Sequence, residues 1–185
     1  GVGTIGLVDD DVVSESNLQR QVLYTEDEIG LSKALQAQKR LQALNHDIQI
    51  NAYPTRLTKE NAASLIANYD IVVDGCDNFA TRYIINDACA HWGRPYVYGA
   101  ILAFEGQVSV FNYQGGPDYR TLYPDEEEML AMPAPFKGVL GVTPGVIGCM
   151  EANEVMKIIG GYGEVLSGKL WQIDLRTMES YTIML

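Results

Sequence analysis

Apolar residues fall in short clusters along this chain, and their spacing alternates between two periods. Thr4 to Val8 is a brief apolar run that predicts a strand, present from the first residues. A turn over 26–30 precedes Leu31, Ala34, Leu35, Leu41 and Leu44. These recur at near-helical spacing with Lys and Gln between them, and predict an amphipathic helix over 31–44. Ile48 to Tyr53 alternates as a strand does. Thr58 reads as the N-cap of a helix over 59–68. Ile71-Val72-Val73 is a β-branched run that predicts a buried parallel strand, and Gly75-Cys76-Asp77-Asn78 a sharp turn after it. Residues 79–92 read as a helix broken by Gly93-Arg94-Pro95, and 96–100 and 107–113 as strands.

Alternation of strand and helix up to about residue 100 implies right-handed βαβ crossovers. The expected fold is therefore α/β, a doubly wound, mostly parallel, Rossmann-like sheet. The pattern dissolves over 114–141, which holds four of the seven prolines and the acidic run Asp125 to Glu128. A loop of that length inside a domain is usually functional or mobile. Pro144 to Ile159 follows as a nearly apolar helix, with Pro in its first turn and Gly160-Gly161 beyond its end, and is expected to be central and well buried. Residues 170–174 and 181–185 read as an antiparallel pair of strands closing the sheet. No linker or repeat divides the chain, so one domain over 1–185 is expected.

Charge narrows the partners. A formal net charge of -11 argues against nonspecific binding to nucleic acid or to an anionic membrane. It leaves room for a nucleotide site, which needs only a local group of cations. No apolar run is long enough to span a bilayer. Cys76, Cys89 and Cys149 form no Cys-x-x-Cys pair and read as small core residues of a protein in a reducing cytoplasm. His46 and His91 lack ligand spacing and read as surface residues.

The candidate chemistry gathers at two strand ends. Asp9, Asp10 and Asp11 end the first strand, and Ser16, Asn17, Gln19, Arg20 and Gln21 follow closely. An acid at the carboxyl end of a strand in an open α/β sheet suits a ribose, and the polar run suits phosphates. The competing reading is an acidic turn on a solvated edge. Arg20 and Lys33 can converge on phosphate, one as a planar fork and the other as a point charge; two solvated cations explain them equally well. At the next strand end Asp74, Asp77 and Asn78 offer carboxylates to a Mg²⁺ held by phosphates, or else Asp77 caps the following helix. Arg82 reads best as one half of an ion pair within that turn.

The run Leu7-Val8-Asp9-Asp10-Asp11, the segment Ser16-Asn17-Leu18-Gln19-Arg20-Gln21, then Gly30-Leu31-Ser32-Lys33, and Asp74-Gly75-Cys76-Asp77-Asn78 with Arg82 together resemble the ThiF/MoeB/HesA adenylyltransferases. These are relatives of the ubiquitin-activating enzymes. Glu105-Gly106-Gln107 and the segment from Gly145 to Glu154 look similar too, so the resemblance covers nearly the whole chain. It implies a homodimer that uses ATP and Mg²⁺ to adenylate the C-terminal Gly-Gly carboxylate of a ubiquitin-like sulfur carrier, ThiS-like or MoaD-like, in thiamine or molybdopterin biosynthesis. The Asp9–Asp11 start and the Asn78–Arg82 segment tilt this toward thiamine. Position by position, it implies that Asp9 binds the ribose and that Asn17, Arg20 and Lys33 bind the phosphates. Asp11, Ser16, Gln19 and Asn78 then line the nucleotide, and Asp77 helps to hold Mg²⁺. Arg20, Lys33 and Asp77 would be the catalytic set.

Departures from the resemblance shape further expectations. In the family a strand, a Gly-rich phosphate loop and an N-terminal arginine that reaches the partner subunit precede the position of Gly1. Without that loop's amides residues 1–185 alone are expected to bind ATP poorly and to be inactive, whereas the full-length protein is active. Asp118-Tyr119-Arg120-Thr121 stands where many members have the first Cys-x-x-Cys of a structural zinc site, so no zinc is expected. Ala134 to Gly138 holds no cysteine where some members trap the carrier, so the reaction is expected to stop at the acyl-adenylate. The loop over 114–141 is expected to cover the carrier's tail. Two other functions compete: a non-catalytic carrier-binding module of the same fold, and an NAD-dependent oxidoreductase. The oxidoreductase lacks a placed proton donor.

Overall fold

The computed structural model describes residues 1–133 and 138–185. The chain forms two compact units, Gly1–Leu57 and Thr58–Leu185.

In the first unit, strand β1 (Thr4–Val8) pairs in parallel with β2 (Gln49–Tyr53), Thr4 opposite Gln49 and Val8 opposite Tyr53. Helix α1 (Lys33–Leu44) makes the crossover between them. The helix settles on small residues: Ala34 and Ala37 are buried, while Leu31, Leu35 and Leu44 stay exposed. That corrects the leucine-faced helix expected from spacing. An alanine face lets the backbone approach the strands closely enough for Gln38 Nε2 to donate to the Ile50 carbonyl at 2.7 Å. Between β1 and α1 the chain makes an excursion through two short 3₁₀ turns, Glu15–Asn17 and Glu26–Glu28. Its ends are tied together by Val13 N–H to the Leu31 carbonyl at 2.8 Å and Lys33 N–H to the Asp11 carbonyl at 3.0 Å.

The second unit is a five-stranded sheet with helices. Helix α2 (Lys59–Ile66) starts at Thr58, whose backbone N–H is taken by Asn61 Oδ1 at 2.8 Å in a capping box. Strand β3 (Val72–Val73) is only two residues long, and Val73 is 48% exposed. The strand is parallel, as expected, but not buried. Helix α3 (Phe79–Trp92) ends where Gly93 takes φ +61°, a left-handed conformation that glycine adopts without a Cβ clash. Strands β4 (Tyr96–Leu102), β5 (Glu105–Phe111), β6 (Lys169–Asp174) and β7 (Glu179–Met184) complete the order β3-β4-β5-β6-β7. Only β3–β4 is parallel in this sheet; the three following pairings are antiparallel, so the antiparallel part reaches well beyond the C-terminal pair.

The segment after β5 is more ordered than its composition suggests. It contains α4 (Tyr119–Leu122) and α5 (Glu126–Ala131), each capped by an aspartate, Asp118 and Asp125. Residues 134–137, within the region compared with a carrier-trapping loop, lie outside the described residues. Helix α4 delivers Tyr119, fully buried, into a ring cluster with Tyr83, Tyr98 and Phe111 at centroid distances of 5.2, 5.4 and 5.8 Å. Such edge-on aromatic pairs add to the apolar burial of the strand core, which is led by Tyr96, Val97, Val108 and Val110.

Helix α6 (Val142–Gly160) lies against β4 and β5 through Thr143, Ile147, Glu151 and Glu154. Gly106 makes room for it: a Cβ there would come within 2.3 Å of Ile147 Cδ1. The opposite face is exposed at Val142, Gly145, Cys149, Ala152, Met156 and Ile159, which repeat every three or four residues. The helix is therefore half-covered, not central. Its apolar composition serves two faces, and carboxylates occupy the inner one. Cys149 on that open face and the half-buried Cys76 also depart from the core placement expected; Cys89 alone of the three is buried. His46 and His91 are exposed as expected.

Candidate functional site

The sequence placed candidate groups at two strand ends, one in each unit. In the first unit, β1 ends at Val8 and the backbone turns back on itself: Asp11 N–H donates to Asp9 Oδ1 at 2.8 Å. This turn folds three carboxylates together, and one oxygen from each of Asp9, Asp10 and Asp11 lies within 4.8 Å of the others. Burial raises the Asp9 carboxyl above its usual range; the Asp11 amide and the Lys33 charge offset part of that. Tyr24 is pushed up to about 12 by burial and then by the charges of Asp9 and Glu28. Asp9 thus sits half-buried in a field that favours donors to its oxygens, which suits hydroxyl groups.

Lys33 begins α1 with its side chain almost covered, and Nζ meets Asp11 Oδ2 at 3.0 Å. The backbone ties between 11–13 and 31–33 bring these two side chains together. Asp11 therefore serves Lys33, and the cation is held in place before any anion arrives. Arg20 is half-buried at the end of the Glu15–Asn17 turn, and among the described residues its side chain makes one hydrogen bond, a long one of 3.5 Å to the Ser16 carbonyl. Its guanidinium keeps donors available. Asn17 builds that turn, its carbonyl accepting from Arg20 N–H at 3.0 Å and Gln21 N–H at 2.9 Å. Ser16 bonds Ser14 through the hydroxyls at 3.1 Å, and Gln19 is exposed. Two buried oxygens of this unit, Gln21 Oε1 and Ser32 Oγ, have no partner. Buried polar atoms are rarely left so. Within this unit, orphaned buried oxygens, the under-used Arg20 guanidinium and Lys33 near Asp9 are what a polyhydroxy, polyanionic ligand would satisfy, so these residues fit ATP.

In the second unit, the turn after β3 separates two neighbouring residues by role. Asn78 is the N-cap of α3: its Oδ1 accepts from Thr81 N–H at 2.9 Å. Asp77 does not cap. Its carboxylate is exposed, and its one hydrogen bond among the described residues is from the Asn78 amide at 3.4 Å. A single exposed carboxylate free of ion pairs fits Mg²⁺, which keeps most of its water and takes few protein ligands. Asp74, by contrast, is turned inward and saturated. It accepts from Cys76 N–H at 2.8 Å, Arg82 Nε at 2.9 Å and the Tyr96 hydroxyl at 2.9 Å. Arg82 is the ion-pair partner expected, and it is buried. Burial alone would lower its pKa, yet Asp74, joined by Tyr98, Cys76 and Tyr96, outweighs that and holds it firmly protonated.

Sequence reasoning missed Glu151. It lies inside α6 with its carboxyl against Gly99, where a Cβ would meet its Cδ at 2.4 Å. Its Oε1 has no partner, and burial, then Asp74, raises the carboxyl to about 8. The signal was a glutamate in an otherwise apolar helical stretch.

The first unit is a parallel βαβ and the second a largely antiparallel sheet with helices, an α/β class of fold. The chain belongs to the ThiF family, which it matches over residues 1–185. It is 49% identical over 180 residues to the sulfur carrier protein adenylyltransferase of Thermus thermophilus, covering 94% of this chain and 66% of that protein. It is 47% identical over 180 residues to a probable molybdopterin-synthase adenylyltransferase of Porphyra purpurea, covering 96% and 47%. The SAMP-activating enzyme E1 of Haloferax volcanii is 44% identical, over 99% of this chain and 68% of its own length. The chain thus spans about half to two-thirds of these relatives. None of these names supports the tilt toward thiamine. Among solved structures, Escherichia coli MccB in complex with MccA-N7isoASN covers the whole chain at a TM-score of 0.85 and 21% identity, which shows the shared fold. In the described residues no helix is long and apolar enough to cross a membrane.

Proposed function

We propose that the protein containing this chain is an adenylyltransferase that activates the C-terminal carboxylate of a ubiquitin-like sulfur carrier with ATP. The observation that carries this reading is the pairing of a prepared anion site with family membership. Lys33 is held nearly buried on Asp11, Arg20 keeps free donors, and Asp9 is placed for hydroxyls, all within a chain that matches the ThiF family throughout.

The chemistry asks for such a set. A carboxylate oxygen of the carrier's last residue attacks the α-phosphorus, the bond from that phosphorus to the bridging oxygen breaks, and pyrophosphate leaves with the electron pair. No proton need move. The difficulty is bringing two anions together, so fixed positive charge is the main contribution. Arg20 and Lys33 supply it from this chain, with Asn17 shaping the Arg20 turn, Asp9 orienting the ribose, and Asp77 offering a ligand for Mg²⁺. When bound, Mg²⁺ neutralises phosphate charge. ATP–pyrophosphate exchange by the intact protein with a Gly-Gly-ending carrier tests the reading. Exchange that depends on the carrier is expected; carrier binding with no exchange would favour a non-catalytic module.

The protein acts as a homodimer in this reading. Support comes from α6, whose exposed positions Val142, Cys149 and Met156 alternate with Gly145, Ala152 and Ile159 at the spacing of a helix-packing seam. Small residues there let a second helix approach. Ala152→Arg is expected to shift the intact protein to monomer in sedimentation velocity; an unchanged sedimentation coefficient would rule this face out.

A further inference from the structure

The ion pair of Asp74 and Arg82 does more than fill the core: it grips Cys76, the residue before Asp77, at both its backbone N–H and its carbonyl. Asp74 Oδ1 accepts the Cys76 N–H at 2.8 Å, and Arg82 Nη2 donates to the Cys76 carbonyl at 3.0 Å. The same Nη2 reaches the Gly99 carbonyl on β4 at 3.3 Å, and Arg82 Nε holds Asp74 Oδ2 at 2.9 Å. Tyr96 donates its hydroxyl to that same carboxylate oxygen. The guanidinium lies 5.3 Å from the centroid of the Tyr98 ring, which limits its tilt. Beyond Cys76 the next fixed point is Asn78, whose side chain caps α3. Asp77 is the one residue between these two anchors; its carboxylate is exposed and accepts only a long hydrogen bond, 3.4 Å from the Asn78 amide, among the described residues.

We propose that Asp74 and Arg82 are positioning residues for Asp77: their ion pair clamps the backbone of Cys76, on both sides of its Cα, so that the Asp77 carboxylate is presented in one orientation. This rests on the adenylyltransferase reading and extends it to two residues that meet no substrate. The physical case is that a ligand or catalytic group held by locked neighbours binds without first losing its own freedom. Arginine is required and lysine does not suffice. The planar fork reaches a carboxylate and two carbonyls at once, whereas one ammonium on a flexible stem cannot span them.

The test uses the intact protein and the variants Arg82→Lys, Asp74→Asn and Asp77→Ala. Amide hydrogen exchange, without nucleotide or metal, should show the Cys76 amide exchanging about tenfold faster or more in Arg82→Lys, with the β4 amides unchanged. In ATP–pyrophosphate exchange, Arg82→Lys should lower kcat by about tenfold or more and raise the Mg²⁺ concentration for half-maximal rate, with the KM for ATP within about twofold of the parent. Should Arg82→Lys fail to fold, the isosteric Asp74→Asn gives the same readouts, with Cys76 deprotected and kcat reduced. Wild-type Cys76 protection in a folded Arg82→Lys, or a raised KM for ATP with kcat intact, would overturn the proposal. If Asp77→Ala abolishes exchange while both clamp variants match the parent, the clamp alone is wrong. If Asp77→Ala itself retains full exchange, the role given to Asp77 fails and the clamp loses its purpose.

Discussion

Asp77→Ala is expected to lower ATP–pyrophosphate exchange by the intact protein by about a hundredfold or more while leaving its stability almost untouched. Under the proposed function the activity loss follows from removing a carboxylate offered to Mg²⁺ beside the phosphates, where single electrostatic groups are worth about 10²–10³ in rate. The unaltered stability follows from geometry. Asp77 is exposed, takes no part in the cap of α3, and touches only the Asn78 amide at 3.4 Å. Exposed substitutions of that kind shift stability by roughly 0.5 kcal/mol or less. Thermal denaturation alongside the exchange assay separates the two effects. Exchange at the parental rate in Asp77→Ala would remove this residue from the chemistry, and a collapsed melting temperature would assign it a structural role instead.

Glu151→Gln is expected to flatten the dependence of stability on pH. The Glu151 carboxyl is raised from an ordinary value of 4.5 to about 8, by burial first and Asp74 second, with Arg82 pulling the other way. Below about 4.5 the group is protonated in both folded and unfolded chains and contributes no pH dependence. Between the two values the folded chain keeps a proton that the unfolded chain has released, so stability falls as pH rises. The fall levels off above about 8. A separation of that size corresponds to about 5 kcal/mol. Gln keeps the shape that Gly99 accommodates and has no proton to lose. Urea denaturation between pH 5 and 9 should show the parent losing several kcal/mol and the variant losing much less. Parallel curves for the two proteins would mean that Glu151 is ionised and satisfied in the folded state.

Local patterns legible in the sequence were those with a strong period or a specific cap. Residues 79–92 read as a helix broken at Gly93, and Gly93 ends it; the cap, weighed for Asp77, falls one residue later on Asn78. The N-cap at Thr58 was legible too; the capping box that Asn61 completes was not. Helix α4 was not, since four residues cannot display a 3.6-residue period, and Tyr119 therefore looked like a loop residue although it is fully buried. Helix α6 misled in the opposite sense: apolar composition implied burial on all sides, when its polar minority Glu151 and Glu154 faces inward. Periodicity locates a face but does not say what covers it. For the site, residue types at the strand ends were legible, and so was the ion pair of Arg82, whose partner Asp74 lies in the same turn eight residues away. That Asp11 is committed to Lys33 was not, because the two lie 22 residues apart.

The start of α3 fixes which of two adjacent side chains faces the outside world. The helix opens at Phe79, so the cap falls on Asn78, a neutral amide. Had it opened one residue sooner, Asp77 would have folded back over its own first turn, its charge absorbed by the helix N–H groups. A neutral cap thus leaves its acidic neighbour at full strength. The helix register, not the acidity of the turn, makes that carboxylate available.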